Sequence, residues 1–251
     1  FPYTTLFRSA YLAPPPGGER ETNHVTGLEY DDRIIYVAYA GRNLIALFNG
    51  KTGAVRDTWK VPTPGRLAAR PDGRMAVVSG DRILSVKDGK VRTWISNHLD
   101  EPVSVAVGDD GTAYVANRGD RQNVSVFGAD GAYERSIGTE GGRPAVGTYD
   151  PSGMYQPGGI DLDARGRLWV AETTGSPKRI SVWNTGTGEN VEELFGGSSY
   201  FAYGYIDPDR PTEIYGHNVL WEIDWDDYST RPKATIWLAL SQPRRAMLAR
   251  P

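Results

Sequence analysis

The stretch that decides the fold is Glu101–Gly131, which reads EPVSVAVGDDGTAYVANRGDRQNVSVFGADG. The same plan returns in Gln156–Gly188, which reads QPGGIDLDARGRLWVAETTGSPKRISVWNTGTG. The two copies match at Pro102 with Pro157, Gly111 with Gly166, Val115 with Val170 and, after a one-residue insertion, Val126 with Val182. Self-similarity of this kind is the signature of a repeat architecture, in which each copy is one supersecondary unit.

Each copy has the pattern of four short strands. In the first copy, Val103–Val107 alternates apolar residues with small or polar ones, as a half-buried strand does. A tight turn at Asp109–Gly111 leads to Ala113–Ala116, whose nearly continuous apolar run predicts a strand covered on both faces. Val124–Phe127 and Tyr133–Ile137 supply the third and fourth strands. Four antiparallel strands in about 40 residues are typical of one blade of a β-propeller.

Three further segments follow this plan more loosely. Thr26–Gly53 and Arg66–Gly89 keep the order of strand, turn and strand, and Tyr205–Trp237 keeps that order with divergent residues. We therefore predict an all-β chain that forms a β-propeller of four to five blades, each with four antiparallel strands. The predicted blades are 22–65, 66–100, 101–155, 156–200 and 201–237.

The motif shared by the two best copies is P-x-x-[VI]-x-[VL]-x-x-x-G-x-[AL]-[YW]-V-A-[NE], followed by a strand that ends in Phe or Trp. It resembles the NHL repeat, and the resemblance covers Thr26–Ser199. The turns FNGKTG and WNTGTG are also similar to those of quinoprotein and YVTN-type propellers. Because NHL-like propellers usually close with six blades, the resemblance implies an incomplete six-bladed ring, with further blades before Ala10, after Trp237 or both.

The two ends of the chain depart from the repeat pattern. The first nine residues, FPYTTLFRS at 1–9, are identical to the translation of a common sequencing-adapter oligonucleotide. We therefore interpret them as an artefact of untrimmed environmental (metagenomic) reads, and we expect the biological chain to begin near Ala10. The last residues, 238–251, lack the turn pattern of the repeats, which predicts an irregular tail or a truncated segment.

Composition and charge exclude several classes of function. The net charge is −3 at pH 7, so the chain offers no basic field to a nucleic-acid backbone. The absence of cysteine excludes disulfides, thiolate catalysis and cysteine-ligated metal sites. Apolar runs such as Ile34–Ala40 are much shorter than the roughly 20 residues of a membrane-spanning helix. We therefore expect no nucleic-acid partner and no membrane span.

Four polar residues are candidates for an axial metal site: Glu29, Asn117, Asp161 and Glu172. Asn117 and Glu172 occupy the same repeat position, directly after the apolar run of the second strand. Gluconolactonase-type lactonases are related propellers that hold calcium or zinc with axial Glu, Asn and Asp residues, and this resemblance implies the same role here. Oxygen donors suit such cations. The alternative is that these side chains cap turns.

The histidines give no independent metal signal. His24, His98 and His217 lie between repeat units or in the divergent unit, and they show neither the H-x-x-x-H nor the H-E-x-x-H spacing. A propeller can assemble a site from one residue per blade, so wide separation leaves a metal role open. The alternative is that they are loop residues bonded to the backbone.

Aromatic residues crowd the loops that join the later units. Tyr149, Tyr155, Tyr200 and Tyr203 are the candidates for ligand binding, because loops on one propeller face often bind partners and aromatic rings suit sugars or peptides. The Gly/Pro-rich insertion Thr139–Tyr155 lacks a strand pattern and is a candidate functional loop. The alternative interpretation of these aromatics is packing between blades.

Together these features favour a non-enzymatic binding or scaffold module of a larger, exported bacterial protein. We expect a protein or carbohydrate ligand on one loop face, no cofactor and no catalytic residues, with further domains in the parent chain. This step rests on analogy with the fold. The alternative is a metal-dependent lyase or hydrolase, lactonase-like, with an axial calcium or zinc ion that polarises a carbonyl or activates water.

Overall fold

The computed structural model describes residues 24–173, 177–196, 204–216, 219–227 and 229–235. Within these ranges the chain forms 21 strands and one short 3-10 turn at Ala40–Arg42, and it contains no α-helix. Nothing helical in the same ranges is long and apolar enough to cross a membrane. The two end segments 1–9 and 238–251 lie outside the described residues.

The strands form five antiparallel sheets in which each strand pairs with the next along the chain. Sheet 1 contains β1 (Gly27–Asp31), β2 (Ile34–Tyr39), β3 (Leu44–Asn49) and β4 (Val55–Lys60). Sheet 2 contains β5 (Leu67–Ala69), β6 (Met75–Ser79), β7 (Arg82–Lys87) and β8 (Lys90–Ile95). Sheet 3 contains β9 (Pro102–Val107), β10 (Ala113–Asn117), β11 (Asn123–Phe127) and β12 (Tyr133–Ile137).

Two more sheets and one extra strand complete the described chain. A two-residue strand, β13 (Gly147–Thr148), follows sheet 3. Sheet 4 contains β14 (Pro157–Leu162), β15 (Arg167–Glu172), β16 (Lys178–Asn184) and β17 (Asn190–Gly196). Sheet 5 contains β18 (Gly204–Asp207), β19 (Arg210–Gly216), β20 (Val219–Ile223) and β21 (Thr230–Thr235), and β13 joins it beside β21.

The first strands of sheets 1 to 4 surround an axial cavity. Strands β1, β5, β9 and β14 pack side by side in that order. Residues of all four line one cavity of about 290 Å³. Because each first strand contributes alternate side chains to this space, polar residues at those positions are brought together from distant parts of the sequence.

Neighbouring sheets enclose apolar cores. Residues that alternate along the strands point toward the adjacent sheet and leave water almost completely, which stabilises the fold by about 1.5–3 kcal/mol for each large aliphatic side chain. The clusters contain Ile45 with Val77 between sheets 1 and 2, Ile83 with Val115 between sheets 2 and 3, and Val126 with Leu168 between sheets 3 and 4.

A repeated contact links the outer edges of successive sheets. In sheets 2, 3 and 4 the turn between the third and fourth strands carries a glycine at positive φ. A side chain from the last strand of the preceding sheet lies against that glycine, and at the second of these contacts a Cβ would come within 2.7 Å of a backbone oxygen. The contacts are Trp59 with Gly89, Trp94 with Gly131 and Arg135 with Gly188.

Sheet 5 is joined to the other sheets through the insertion Thr139–Tyr155. The sequence pattern predicted no strand there, but β13 pairs with the outer edge of β21. Beside this pairing the Tyr149 N–H donates a hydrogen bond of 3.0 Å to the Lys233 carbonyl. The rings of Phe195 and Trp221 also meet edge to face at 5.8 Å between centroids. The insertion is therefore an ordered connector between sheets 3, 4 and 5.

Candidate functional site

The axial cavity brings together two of the four predicted metal ligands. Glu29 on β1 and Asp161 on β14 both line it, together with Arg66. Burial raises the pKa of Glu29 above its ordinary value of 4.5, the charge of Asp161 adds to the rise, and the N–H of Tyr30 opposes it. The cavity therefore brings two carboxyl groups from strands that are far apart in sequence together beside one guanidinium group.

Glu29 gives the fold a predictable dependence on pH. A carboxyl whose pKa is raised in the folded state favours folding while it is protonated, and this contribution is lost as the pH rises through the folded-state pKa. We expect Glu29→Gln to unfold at a higher temperature than the parent chain at pH 7, and the difference to vanish in mildly acidic buffer. Thermal melts followed by circular dichroism across this range check it, and a difference that does not change with pH would contradict it.

Asn117 is a buried amide at the end of β10. Its Oδ1 accepts the backbone N–H of Asp100 at 3.0 Å, and its Nδ2 donates to Ser125 Oγ at 2.9 Å and to Asn123 Oδ1 at 3.2 Å. The side chain is completely buried. These contacts satisfy the amide within sheet 3 and anchor the loop that precedes β9.

Glu172, at the matching end of β15, lies between two arginines. Arg143 Nη2 is 2.6 Å from Glu172 Oε2, and Arg179 Nη1 is 2.9 Å from Glu172 Oε1. At most 1% of each of these three side chains is exposed. Arg179 Nε also lies 2.7 Å from Glu193 Oε1, which is partly exposed. We call these four residues the arginine–glutamate cluster, and their charges balance.

The same cluster fixes the insertion to sheet 4. Arg179 donates hydrogen bonds of 2.6 Å and 2.7 Å to the carbonyls of Gly153 and Pro151. Because both carbonyls belong to the insertion, one buried side chain of β16 holds the loop in place. The repeat position of Asn117 and Glu172 thus anchors a loop in both sheets, which agrees with the capping alternative.

The structure therefore places the four predicted metal ligands in three separate places. Glu29 and Asp161 share the axial cavity, Asn117 is bonded inside sheet 3, and Glu172 is paired with two guanidinium groups. Over the described part of the chain, no three His, Asp or Glu residues are grouped as metal ligands. The calcium or zinc site stays a prediction, with the Glu29–Asp161 pair as the part of it that the fold brings together.

Two of the four predicted ligand-binding tyrosines surround Arg143. The centroids of the Tyr149 and Tyr155 rings both lie 5.4 Å from the guanidinium carbon. The Tyr149 hydroxyl donates a hydrogen bond to the carboxylate of Glu193. Burial raises the pKa of Tyr149 well above its ordinary range. These rings therefore pack within the interface between the insertion and sheet 4.

Within the described part of the chain, the other tyrosine and histidine candidates add no further group to either site. Tyr200 and Tyr203 lie outside the described residues, as does His217. His98 is stacked on Tyr133 with 4.0 Å between ring centroids, and its backbone carbonyl accepts the Ser125 hydroxyl at 2.9 Å. His98 thus caps the end of sheet 3 instead of joining the axial carboxylates.

A large open cavity lies beside the arginine–glutamate cluster. This sheet 3–sheet 4 groove has a volume of about 900 Å³ and runs between β12 and β17, the last strands of their sheets. It contains both aromatic atoms and hydrogen-bonding groups. Its lining includes Ser136, Thr139, Trp183, Glu189, Glu192 and Glu193.

Comparison with known proteins identifies the fold. No family model matches the sequence, and no curated protein matches it. Many solved structures share the architecture, and three β-propeller proteins among them are compared with this chain below. A nidogen/laminin complex has a TM-score of 0.56 and 18% identity over 85% of this chain and 80% of that chain. The chain has the β-propeller fold.

The other two structures match a similar share of this chain. Hydrazine synthase of Kuenenia stuttgartiensis has a TM-score of 0.54 and 18% identity over 83% of this chain, which spans 60% of that chain's length. Virginiamycin B lyase from Staphylococcus aureus, solved with quinupristin, has a TM-score of 0.52 and 15% identity over 86% of this chain and 71% of that chain. At such identities the likeness concerns the propeller fold, and the finer resemblance to NHL repeats stays a prediction.

Proposed function

We propose that this β-propeller is a non-enzymatic binding module, and that a lysine- or arginine-rich segment of a partner protein docks in the sheet 3–sheet 4 groove. The observation that carries the proposal is the charge of the groove. Its described lining has no lysine or arginine, and it carries the carboxylates of Glu189 and Glu192 beside that of Glu193, whose charge Arg179 balances. Such a surface attracts cationic side chains and disfavours acidic ones.

The shape of the groove suits an extended chain. A volume of about 900 Å³ lies at the upper end of the range for ligand pockets. Its two walls end in β12 and β17, the terminal strands of sheets 3 and 4. A peptide that lies along such a strand can form main-chain hydrogen bonds while its side chains contact the walls.

The glutamates that line the groove are held in position by neighbouring side chains of sheet 4 and the insertion. Glu193 contacts Arg179 at 2.7 Å and accepts the hydroxyl of Tyr149. Glu192 lies 3.6 Å from Arg167. Because these carboxylates are already positioned, a ligand loses less conformational entropy in pairing with them. The arginine–glutamate cluster thus supports the groove.

The propeller neighbours are compatible with more than one role. The nidogen/laminin structure is, by its title, a complex of two proteins, which supports a binding role for this fold. The virginiamycin B lyase structure is that of an enzyme. The identity of the ligand therefore has to come from the groove itself.

The proposal predicts salt-sensitive binding of basic peptides. We expect a fluorescent octalysine peptide to bind the chain and an octaglutamate peptide not to bind. The double variant Glu189→Gln/Glu192→Gln should weaken octalysine binding by about two- to thirtyfold at low salt, since each exposed ion pair contributes about 0.2–1 kcal/mol. Fluorescence anisotropy titrations at two salt concentrations measure this.

A matched control separates the groove from general surface charge. The double variant Asp81→Asn/Asp88→Asn removes two exposed carboxylates from turns of sheet 2, away from the groove. It should bind octalysine as the parent chain does. Equal weakening in both double variants would mean that the peptide responds only to net charge, and the groove proposal would then be wrong.

The enzyme alternative rests on the Glu29–Asp161 pair in the axial cavity. Two carboxylates with water and backbone oxygens can bind a divalent cation. Under the binding-module proposal we expect the melting temperature to be the same with calcium, with zinc and with EDTA. A melting temperature that one cation raises and EDTA lowers, and that loses this response in Glu29→Gln, would favour the metal-dependent lyase or hydrolase instead.

A further inference from the structure

The hairpin turn of sheet 5 departs from the pattern of the other sheets. In sheets 2 to 4 the turn between the third and fourth strands contains a glycine that the preceding sheet covers. In sheet 5 the corresponding turn reads DWDDYS at 224–229, of which Tyr228 lies outside the described residues. Trp225 stands in this turn and is 47% exposed. The turn contains no glycine, and it presents a large aromatic ring to solvent.

The ring of Trp225 is fixed in orientation. Its Nε1 donates a hydrogen bond of 3.0 Å to the carbonyl of Pro211, at the start of β19. The turn beneath it is also ordered, because the Asp226 N–H donates to Asp224 Oδ1 at 2.9 Å. A platform that is already immobilised loses little entropy when a ligand stacks on it.

Polar groups surround this platform in a cavity of about 460 Å³. The size falls within the range for small-molecule sites. Glu222 and Arg231 form one wall and are joined by contacts of 2.8 Å. The carboxylates of Asp224 and Asp226 and the hydroxyls of Thr212, Ser229 and Thr230 also line the cavity.

We infer that this cavity is a saccharide-binding site with Trp225 as its stacking platform. A pyranose ring has an apolar face of C–H groups and a rim of hydroxyls, which complement an aromatic face ringed by hydrogen-bond acceptors and donors. The cavity carries the carboxylates of Glu222, Asp224 and Asp226 against the single guanidinium of Arg231. It therefore favours neutral or amino sugars over uronic acids.

This site is separate from the proposed peptide groove. Trp225 belongs to sheet 5, and the groove lies between sheets 3 and 4. The inference goes beyond the proposed function, because each site has its own ligand class. An experiment that contradicts one of the two sites therefore leaves the other unaffected.

The test uses three oligosaccharides of similar length: chitotriose, its deacetylated amino-sugar counterpart and trigalacturonate. We expect the first two to bind the full chain in saturation-transfer NMR and calorimetry with a millimolar Kd, and trigalacturonate not to bind. Trp225→Ala should weaken binding at least about tenfold, as loss of a central aromatic contact does. Trp225→Phe should retain part of the affinity because it keeps an aromatic face.

Two further variants exclude indirect effects. Asp224→Asn keeps the acceptor for the Asp226 N–H and removes one charge, so it should reduce the preference for the amino sugar without loss of neutral-sugar binding. Glu189→Gln/Glu192→Gln should leave saccharide binding unchanged. Absence of binding by all three oligosaccharides, or equal affinity in Trp225→Ala and the parent chain, would overturn the inference.

Discussion

Replacement of Arg179 with alanine is expected to lower the free energy of unfolding by about 3–5 kcal/mol, because it removes one of the two cations that balance Glu172 and Glu193 and leaves the buried cluster with excess negative charge. Arg179 is completely buried and contacts Glu172 and Glu193 through different nitrogens. It also satisfies the carbonyls of Gly153 and Pro151. Its removal therefore breaks these hydrogen bonds between sheet 4 and the insertion, and it also opens a cavity. Urea denaturation followed by circular dichroism measures the change.

The control for this prediction is Arg167→Ala in the same sheet. Arg167 pairs with Asp163 at 2.8 Å, but 29% and 23% of the two side chains are exposed. Such a pair is expected to contribute no more than about 1 kcal/mol. A loss in Arg179→Ala as small as that in Arg167→Ala would contradict the view that the arginine–glutamate cluster is the buried support of the groove.

The strands of sheet 3 could be predicted residue by residue. Val103–Val107 and Ala113–Ala116 lie within β9 and β10, because alternation along β9 and continuous apolarity along β10 are direct consequences of burial on one or two faces. The described residues of the divergent segment Tyr205–Trp237 also form a sheet, since β20 keeps alternate buried residues from Val219 to Ile223. Local pattern was therefore sufficient for these strands, although it missed β13 in the insertion.

The contacts between distant segments could not be predicted in the same way. The sequence identified Glu172 as polar and placed at a repeat position, but its partner Arg143 is 29 residues away in the insertion. Nothing in a Gly/Pro-rich stretch indicates which side chain will be buried, because that depends on how the loop folds over sheet 4. Arg179 was likewise missed, since an arginine that follows a lysine at the start of a strand has the pattern of an exposed residue.

The pairing of Glu29 with Asp161 is the intermediate case. The sequence offered them as oxygen ligands by likeness to lactonases, and the structure shows that both lie on first strands, which a propeller brings to one axis. The fold then determined which of the four candidates meet: those on first strands did, whereas those at the ends of second strands became loop anchors. The position of each residue within its blade, more than its residue type, therefore determined whether it faces the axial cavity or anchors a loop.

Replacement of Trp183 with alanine is expected to cost about 3–5 kcal/mol of stability, the usual penalty for deleting a large buried aromatic side chain. Trp183 is 1% exposed and packs in the core between sheets 3 and 4. Its Nε1 donates to Ser181 Oγ at 2.8 Å, and its ring lies 5.8 Å from the guanidinium carbon of Arg179. Because the same ring lines the sheet 3–sheet 4 groove, octalysine binding should weaken in the folded fraction of this variant.

Trp225→Ala is the matched tryptophan control, since the residue type is the same and only the environment differs. Trp225 is 47% exposed and its Nε1 donates one hydrogen bond to Pro211, so its loss should lower the free energy of unfolding by about 0.5–1.5 kcal/mol, well below the loss for Trp183. Urea titrations of both variants give the comparison. If Trp225→Ala destabilised the chain as much as Trp183→Ala, the exposed ring would be a structural element of sheet 5. Stabilisation of the fold, and not saccharide binding, would then explain the tryptophan in that turn.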